Sequence, residues 1–379
     1  MKSNAKRLMI AIHDMRGGGA ERVVSILCNR FAQMGITVSL CYTGNNRSPC
    51  AYKLDKNVEI FYSKSRVMYC FNWMMGKIPI VAALDMAVSR WRFRMKAKHF
   101  RPSVILAVME EPCRRALRAI RGLDIPVVLR ACNSIEDQIA VHPGLRERYS
   151  GIFEELSGIV FQTPMQQKQY EDMFAFSAEV KKAVILNPIE PSPLWELERA
   201  PEKGQMVAVG NVRTQKGHPL MLRAFSKALK QFPDWELSIY GRMSRNSRFP
   251  ALVAELGLED KVHLHGFCPD VFERVRNASF YVMASKYEGL PNSLIEALCL
   301  GLPCITTDFG GGGARELIEN GKSGLVVPVG DEDAMADAMC RLMGDPDFAE
   351  SLGKEARRTR QRFDAESTAL RWLDFLGLS

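Results

Sequence analysis

Short apolar runs bounded by turn residues alternate along this chain with longer amphipathic stretches, and the alternation is gone through twice. That is the pattern of strand, crossover helix and parallel strand, so each half is expected to fold as a doubly wound parallel α/β sheet. In the first half the runs predict strands over residues 8–13, 37–42, 104–108, 127–130 and 158–162. In the second they predict strands over 205–210, 236–240, 262–265, 279–284, 303–307 and 324–328, with helices such as 20–34 and 220–230 between. The pattern restarts after a proline-rich stretch from Pro188 to Pro201. The expected organisation is one domain over 1–184, a linker over 185–202, a second domain over 203–360 and a terminal helix over 361–379. At 379 residues either half is large enough to bury a core of its own.

Composition narrows the classes of function. The chain is 47% hydrophobic and 25% charged, as soluble globular proteins are, and no signal peptide is visible ahead of the first apolar run. Ten cysteines are scattered with no Cys-x-x-Cys pair and no Cys/His cluster at zinc spacing, so reduced core thiols in a cytoplasmic protein are expected, without zinc. The net charge of +8 is uneven: residues 1–182 hold 28 Lys/Arg against 16 Asp/Glu, and the remainder 23 against 27. A basic half beside a mildly acidic one points to an anionic partner for the first. With no interleaved aromatic RNA-binding motif and no recognition-helix pattern, an anionic lipid surface fits better than nucleic acid.

The densest chemical signal is Glu288-Gly289-Leu290-Pro291-Asn292-Ser293-Leu294-Ile295-Glu296. Pro291 suits a helix start and Asn292 and Ser293 are turn and cap formers, which places Glu288 just before a helix and Glu296 near its second turn. The N–H groups of Asn292, Ser293 and Leu294 then form a helix N-terminus, an environment that suits phosphate, with an acid on either side to accept hydrogen bonds from sugar hydroxyls. An exposed, capped helix with two unrelated acids would show the same spacing. After the first strand, Gly17-Gly18-Gly19 offers bare backbone N–H groups to a phosphate or sugar, most directly at Gly18 and Gly19. It is neither a dinucleotide fingerprint nor a kinase loop.

The Glu288 to Glu296 segment resembles the glutamate–seven–glutamate signature of family 4 retaining glycosyltransferases, and further matches run along almost the whole chain. The resemblance implies the GT-B architecture: two facing Rossmann-like domains, the donor bound mainly by the second, with the last helix crossing back onto the first. It implies that Glu288 lies against the donor sugar and Glu296 holds the nucleotide ribose. The stretch Gly210-Asn211-Val212-Arg213-Thr214-Gln215-Lys216-Gly217 is similar to the family's pair of cations on the donor diphosphate. Lys216 matches directly, Asn211 stands where the family has its arginine, and Arg213 serves only if the loop swings it inward. Gly18 and Gly19 resemble the family's Gly-Gly-Ala-Glu-Arg element near the transferred sugar and acceptor. The loop around Phe267 matches the region that frames the base, and the glycine-rich turn ending at Glu316 matches a segment bordering the donor sugar. Cys132, with Arg130 two residues earlier, stands where the first domain commonly offers a His or Arg toward the donor. Implied overall is a retaining hexosyl or N-acetylhexosaminyl transfer from a nucleotide sugar, by default a UDP-sugar, with no metal and no other cofactor. Residues Glu288, Lys216 and Arg213 would carry the chemistry, and the acceptor would be a lipid-linked glycan or polysaccharide of the cell envelope. A soluble glucan synthase, a sugar-nucleotide epimerase and a non-catalytic sugar-nucleotide binder are the competing readings.

Residues 84–101 form a helix with two apolar stripes. At 100° per residue Met86, Phe93, Ala97 and Phe100 share one face, while Leu84, Val88, Trp91 and Met95 share the opposite one. Arg90, Arg92, Arg94, Lys96, Lys98 and Arg101 lie on the flanks. The second stripe suits either the headgroup layer of an anionic membrane, reached from the cytoplasmic face of the inner membrane, or a neighbouring helix. Residues 67–83 are rich in Met and aromatic side chains, but Lys77 interrupts them short of the roughly 20 apolar residues of a span.

Overall fold

In a computed structural model, residues 6–44, 50–64 and 79–379 are described, and they divide into two compact units. Unit 1 takes residues 1–188 and 365–379; unit 2 takes 189–364. Among the described residues unit 1 contains seven strands: β1 (Arg7–Ile12), β2 (Thr37–Tyr42), β3 (Glu59–Tyr62), β4 (Val104–Val108), β5 (Val127–Arg130), β6 (Gly158–Phe161) and β7 (Lys181–Val184). They pair in the order β3-β2-β1-β4-β5-β6-β7, every neighbouring pair parallel. Unit 2 contains β8 (Glu202–Val209), β9 (Glu236–Tyr240), β10 (Val262–Gly266), β11 (Ala278–Met283), β12 (Cys304–Thr307) and β13 (Leu325–Val327), in the parallel order β10-β9-β8-β11-β12-β13. Both are the doubly wound sheets that the repeated alternation predicts.

The central strands read as apolar runs because helices cover both of their faces. Leu8, Ile10, Leu106 and Val128 lie in one core layer of unit 1; Met9, Ile105, Ala107 and Leu129 lie in the other. Sequence reasoning misses two strands of unit 1, β3 and β7, and both are sheet edges. With one side open to solvent, Lys181 and Lys182 stay exposed and Glu59 and Ile60 likewise, so neither segment forms an apolar run.

The terminal helix expected over 361–379 begins later, after a break in the helical run. One helix spans Pro346–Ala356, a 3₁₀ segment spans Arg357–Phe363, and after Asp364 a new helix spans Ala365–Phe375. This last helix belongs to unit 1, where Ala369, Trp372 and Leu373 pack with Leu8, Val104 and Ile185. Phe375 lies under Gly158, where a Cβ would come 3.1 Å from its ring, and Arg371 Nη2 donates to Val184 O at 2.8 Å.

The helix Pro79–Phe100 buries Phe93, Ala97 and Phe100, as its first stripe predicts, but leaves Met86 62% exposed. Through its first ten residues only Asp85 is buried, paired to Lys64 at 2.6 Å, so packing begins beyond Met86. The described residues hold no helix long and apolar enough to cross a membrane; most of the aromatic stretch ahead of this one, residues 67–78, lies outside them. The nine described cysteines are free.

Trp372 is 1% exposed in the core of unit 1. Trp372→Ala is expected to destabilise that unit by about 3–5 kcal/mol, the usual cost of emptying a buried indole site. Urea unfolding followed by circular dichroism would show it, and a loss under about 1 kcal/mol would mean the terminal helix is not part of that core.

Candidate active site

In an open parallel sheet, ligands bind outside the carboxyl ends of the strands where the winding changes direction. In unit 2 that point lies between β8 and β11: the chain steps from β8 to β9 and β10 on one side, then returns to place β11 on the other. The two loops leaving it are residues 210–217 and 284–291, the segments singled out from sequence.

These loops are locked together. Gly217 adopts φ 63°, and a Cβ there would stand 1.8 Å from Ala284 O, so only glycine allows the approach. Lys286 N donates to Gln215 O at 2.7 Å, and Gln215 Nε2 donates to Tyr287 O at 2.8 Å. Across this seam Lys216 Nζ reaches Glu288 Oε1 at 2.7 Å. Ser285 Oγ donates to the same carboxylate oxygen at 2.9 Å, and Thr307 Oγ1 in turn donates to Ser285 O at 2.5 Å. The cation and the acid that the sequence assigns to different parts of a donor are thus each other's partners here. Both side chains are largely buried, and a charge in such a place needs a counter-ion or hydrogen bonds.

Beyond Glu288 the helix Asn292–Leu300 begins, with Pro291 as its N-cap and no side-chain cap bond. Pro291 therefore stands one residue outside the helix. The N–H of Leu294, expected to be available to phosphate, donates to Pro291 O at 3.1 Å, because the first turn is tightened. Asn292 and Ser293 precede it in the first turn. Ser293 Oγ is held by Tyr281 at 3.0 Å, and Glu296, 6% exposed, sits one turn on. A third loop, after β12, completes the rim: Tyr287 bridges Gly310, and a Cβ on Gly313 would stand 2.0 Å from Gly289 O.

The remaining predicted residues lie at the outer edge of this arrangement. Arg213 is exposed, and its carbonyl receives the N–H of Lys216 at 3.0 Å. Asn211 Oδ1 accepts from Arg242 N at 2.9 Å instead of projecting freely. Phe267, 41% exposed, is covered by the Arg242 guanidinium 4.6 Å from its ring centre. Sequence reasoning misses Gln215, Ser285, Thr307, Tyr281 and Arg242; they support the site through single hydrogen bonds or ring contacts and carry no spacing signature.

In unit 1 the winding reverses between β1 and β4, and the loop after β1 holds Gly18 and Gly19. Gly18 is extended, and its carbonyl accepts from Tyr52 at 3.0 Å and from Arg22 N at 3.0 Å. Arg130 and Cys132 do not present themselves as free groups. Arg130, 2% exposed, donates to Asn187 Oδ1 at 2.5 Å and to Cys132 Sγ at 2.8 Å, and Gln162 Nε2 shares Asn187 Oδ1 at 2.7 Å. Burial pushes the Cys132 thiol up to about 11, against the pull of Arg130, so it is no thiolate at neutral pH. No three His, Cys, Asp or Glu side chains among the described residues stand together as a metal site would require.

Residues 194–359 match the family described as Glycosyl transferases group 1. The chain is 37% identical over 152 residues to the exopolysaccharide phosphotransferase SCO2592 of Streptomyces coelicolor, a match covering 40% of this chain and 16% of that one. It is 31% identical over 218 residues to the N-acetylgalactosamine-N,N'-diacetylbacillosaminyl-diphospho-undecaprenol 4-alpha-N-acetylgalactosaminyltransferase of Campylobacter jejuni, covering 56% and 59%. The chain thus spans less than two thirds of the length of each of these relatives. Its fold is similar to that of Anabaena HepE, solved in complex with UDP, with a TM-score of 0.75 and 17% identity over 98% of this chain and 99% of that one.

His218, directly after Gly217, is 4% exposed and packs edge-on to Phe249. Burial first, and then the Lys216 charge, lower its pKa from 6.5 to about 4. Its folded pKa lies below its unfolded one, so the stability it contributes is present above pH 6.5 and is lost as pH falls toward 4. The shift corresponds to about 3 kcal/mol in the limit. His218→Leu is expected to flatten that part of the pH–stability curve; an unchanged slope in denaturant titrations would remove His218 as its source. Residues 194–359 thus match the group 1 glycosyl transferases, within a chain whose fold is similar to that of HepE.

Proposed function

We propose that this protein is a retaining, metal-independent glycosyltransferase that moves a hexose or N-acetylhexosamine from a UDP-sugar to a lipid-linked or polysaccharide acceptor in cell-envelope glycan assembly. The observation that carries the reading is the Lys216–Glu288 pair at the switch point of unit 2, beside a helix N-terminus and Glu296. A nucleotide diphosphate arriving there offers Lys216 a stronger anionic partner than one carboxylate. Lys216, Arg213 and the N–H groups of Asn292 and Ser293 bind the diphosphate, and fixed positive groups stabilise the charge that develops on it as the sugar leaves. Glu288, released from Lys216 but still held by Ser285, accepts a hydrogen bond from the donor sugar, and Glu296 takes the ribose. The acceptor hydroxyl attacks from the face the diphosphate leaves, with a diphosphate oxygen as base, so the anomeric configuration is kept. Phe267 with Arg242 frames the base, and Gly18 and Gly19 border the acceptor. The names of the relatives, which concern exopolysaccharide and an undecaprenol-linked glycan, support an envelope acceptor, and the UDP complex of HepE supports the donor.

The lipid-linked acceptor is supported by the helix Pro79–Phe100. Ile80, Leu84, Trp91 and Met95 are 76%, 55%, 61% and 44% exposed and fall within about 60° of one another on its outer face. Three of the six flanking cations are held within the protein: Arg92 on Tyr62 O and Ser63 O, Arg94 on Ala119 O and Arg121 O, and Lys96 on Glu59. Arg90, Lys98 and Arg101 remain exposed beside the stripe. Exposed Trp and Leu with cations alongside suit the headgroup layer of an anionic bilayer, where the protein sits at the surface from the cytoplasmic side.

Two experiments test these readings. With a chelator present, UDP and one UDP-sugar should raise the melting temperature. Lys216→Ala should weaken UDP binding at least tenfold, at about 1.4 kcal/mol per decade. Glu288→Gln should keep or tighten UDP binding and abolish sugar transfer. A Glu288→Gln enzyme with normal turnover would remove that residue from the mechanism, and nucleotide binding without turnover on any acceptor would favour a sugar-nucleotide binder. In sedimentation with vesicles of phosphatidylglycerol and phosphatidylcholine, the protein should bind and the Leu84→Ser/Trp91→Ser variant should lose most of that binding. Equal binding to pure phosphatidylcholine, or no effect of the variant, would dismiss the lipid face and favour a soluble glucan acceptor.

A further inference from the structure

The chain leaves unit 1 after Pro188 and returns to it at Ala365, and the two unit 2 segments at these connections are tied to each other. Ile189 and Asp364 form a parallel bridge, and Ile189 N donates to Phe363 O at 2.8 Å. Both segments also send arginines to the far ends of the helices that start in the candidate site. From the first, Arg199 forks over three carbonyls: Nε on Arg276 O at 2.7 Å, Nη1 on Gly301 O at 2.6 Å and Nη2 on Ala278 O at 2.5 Å. From the second, Arg360 Nε takes Cys299 O at 2.6 Å while Nη2 takes Trp195 O at 2.8 Å, its guanidinium lying over the Trp195 ring. Arg362 takes Glu316 O at 2.9 Å and pairs with the Glu316 carboxylate.

Cys299 and Gly301 close the C-terminal end of Asn292–Leu300, and Glu316 lies at that of Gly313–Leu317. The run Arg357-Arg358-Thr359-Arg360-Gln361-Arg362 would pass in sequence for a solvated basic stretch, yet two of its arginines grip the helices behind the donor loops. The carbonyls of a last helical turn have no intrahelical partner, and a guanidinium can donate to one of them and to a second acceptor at once while complementing the negative end of the dipole. A nine-residue helix is stiff and about 13 Å long, so a shift at its N-terminus is carried to its C-terminus.

We propose that the two connections sense donor occupancy. A nucleotide diphosphate at the N-terminal end of Asn292–Leu300, and the loop of Gly313 packed against it, tighten the C-terminal ends of the two helices on Arg199, Arg360 and Arg362, and so order residues 189–202 and 357–364. These arginines are positioning residues; they touch no substrate. The inference rests on the donor site proposed above.

Hydrogen exchange of the full-length protein with and without saturating UDP tests it, with binding measured separately by calorimetry. Exchange should slow in residues 210–217 and 284–293, which cover the ligand loops, and also in 189–202 and 357–364. Arg360→Lys keeps a positive charge but cannot bridge Cys299 O and Trp195 O in one plane. It should remain folded, bind UDP about three- to tenfold more weakly, and protect the ligand loops without protecting the connections. UDP protection confined to the ligand loops in the unaltered protein would overturn the coupling alone, as would full protection of the connections in Arg360→Lys. Failure of UDP to bind at all would overturn the donor site and the coupling with it.

Discussion

The rest of unit 2 depends on how closely the loop after β8 approaches the loop after β11. Gly217 lies so near Ala284 O that no side chain fits, and two hydrogen bonds of Gln215, one through its carbonyl and one through its side-chain amide, hold the loops in that register. Only at this separation do a lysine on one loop and a glutamate on the other meet at 2.7 Å. Charges so far from water are costly alone and tolerable as a pair with a further hydrogen bond, which Ser285 supplies. The seam therefore brings a cation and an acid together and lets each satisfy the other's charge.

The helix behind that pair is treated differently at its two ends. Its N-terminus has no side-chain cap, which leaves positive backbone dipole directed at the site, whereas its C-terminus is wrapped by guanidinium groups from both connections. Arg199 is desolvated enough there, with Arg357 adding repulsion, for its pKa to fall to about 10, and it remains charged at neutral pH. Positive charge behind a helix and the positive end of its dipole in front act in the same direction on an anion. Unit 1 uses its buried arginine otherwise: Arg130 is absorbed in a network with Asn187, Gln162 and Cys132, the cysteine that stands where the family commonly has a His or Arg.

Most of the fold was legible in the chain because doubly wound sheets bury their central strands on both faces, and burial writes apolar runs. The eleven runs read from sequence all coincide with strands, to within a few residues at their ends. β3 and β7 were illegible for the same reason in reverse, since an edge strand buries too little to show. The glycine loops and both glutamates were legible because turn chemistry and helix starts depend on a few local residues. Partner choice was not: the spacing of Glu288 and Glu296 says nothing of Lys216, seventy-odd residues upstream.

What the sequence by itself determined is whatever follows from local conformation and hydrophobic period: two parallel sheets, the break near Pro188, the loop and helix at Glu288, and a two-striped helix at 84–101. What only the tertiary structure decided is which side chains meet. It joined Lys216 to Glu288, took the Leu294 N–H out of use, tied down Arg92, Arg94 and Lys96 while leaving Arg90, Lys98 and Arg101 exposed, and turned a basic run at 357–362 into a clasp. The reason is that such meetings depend on sheet order and loop approach, which set distances between residues far apart in the chain, and no local pattern encodes those distances.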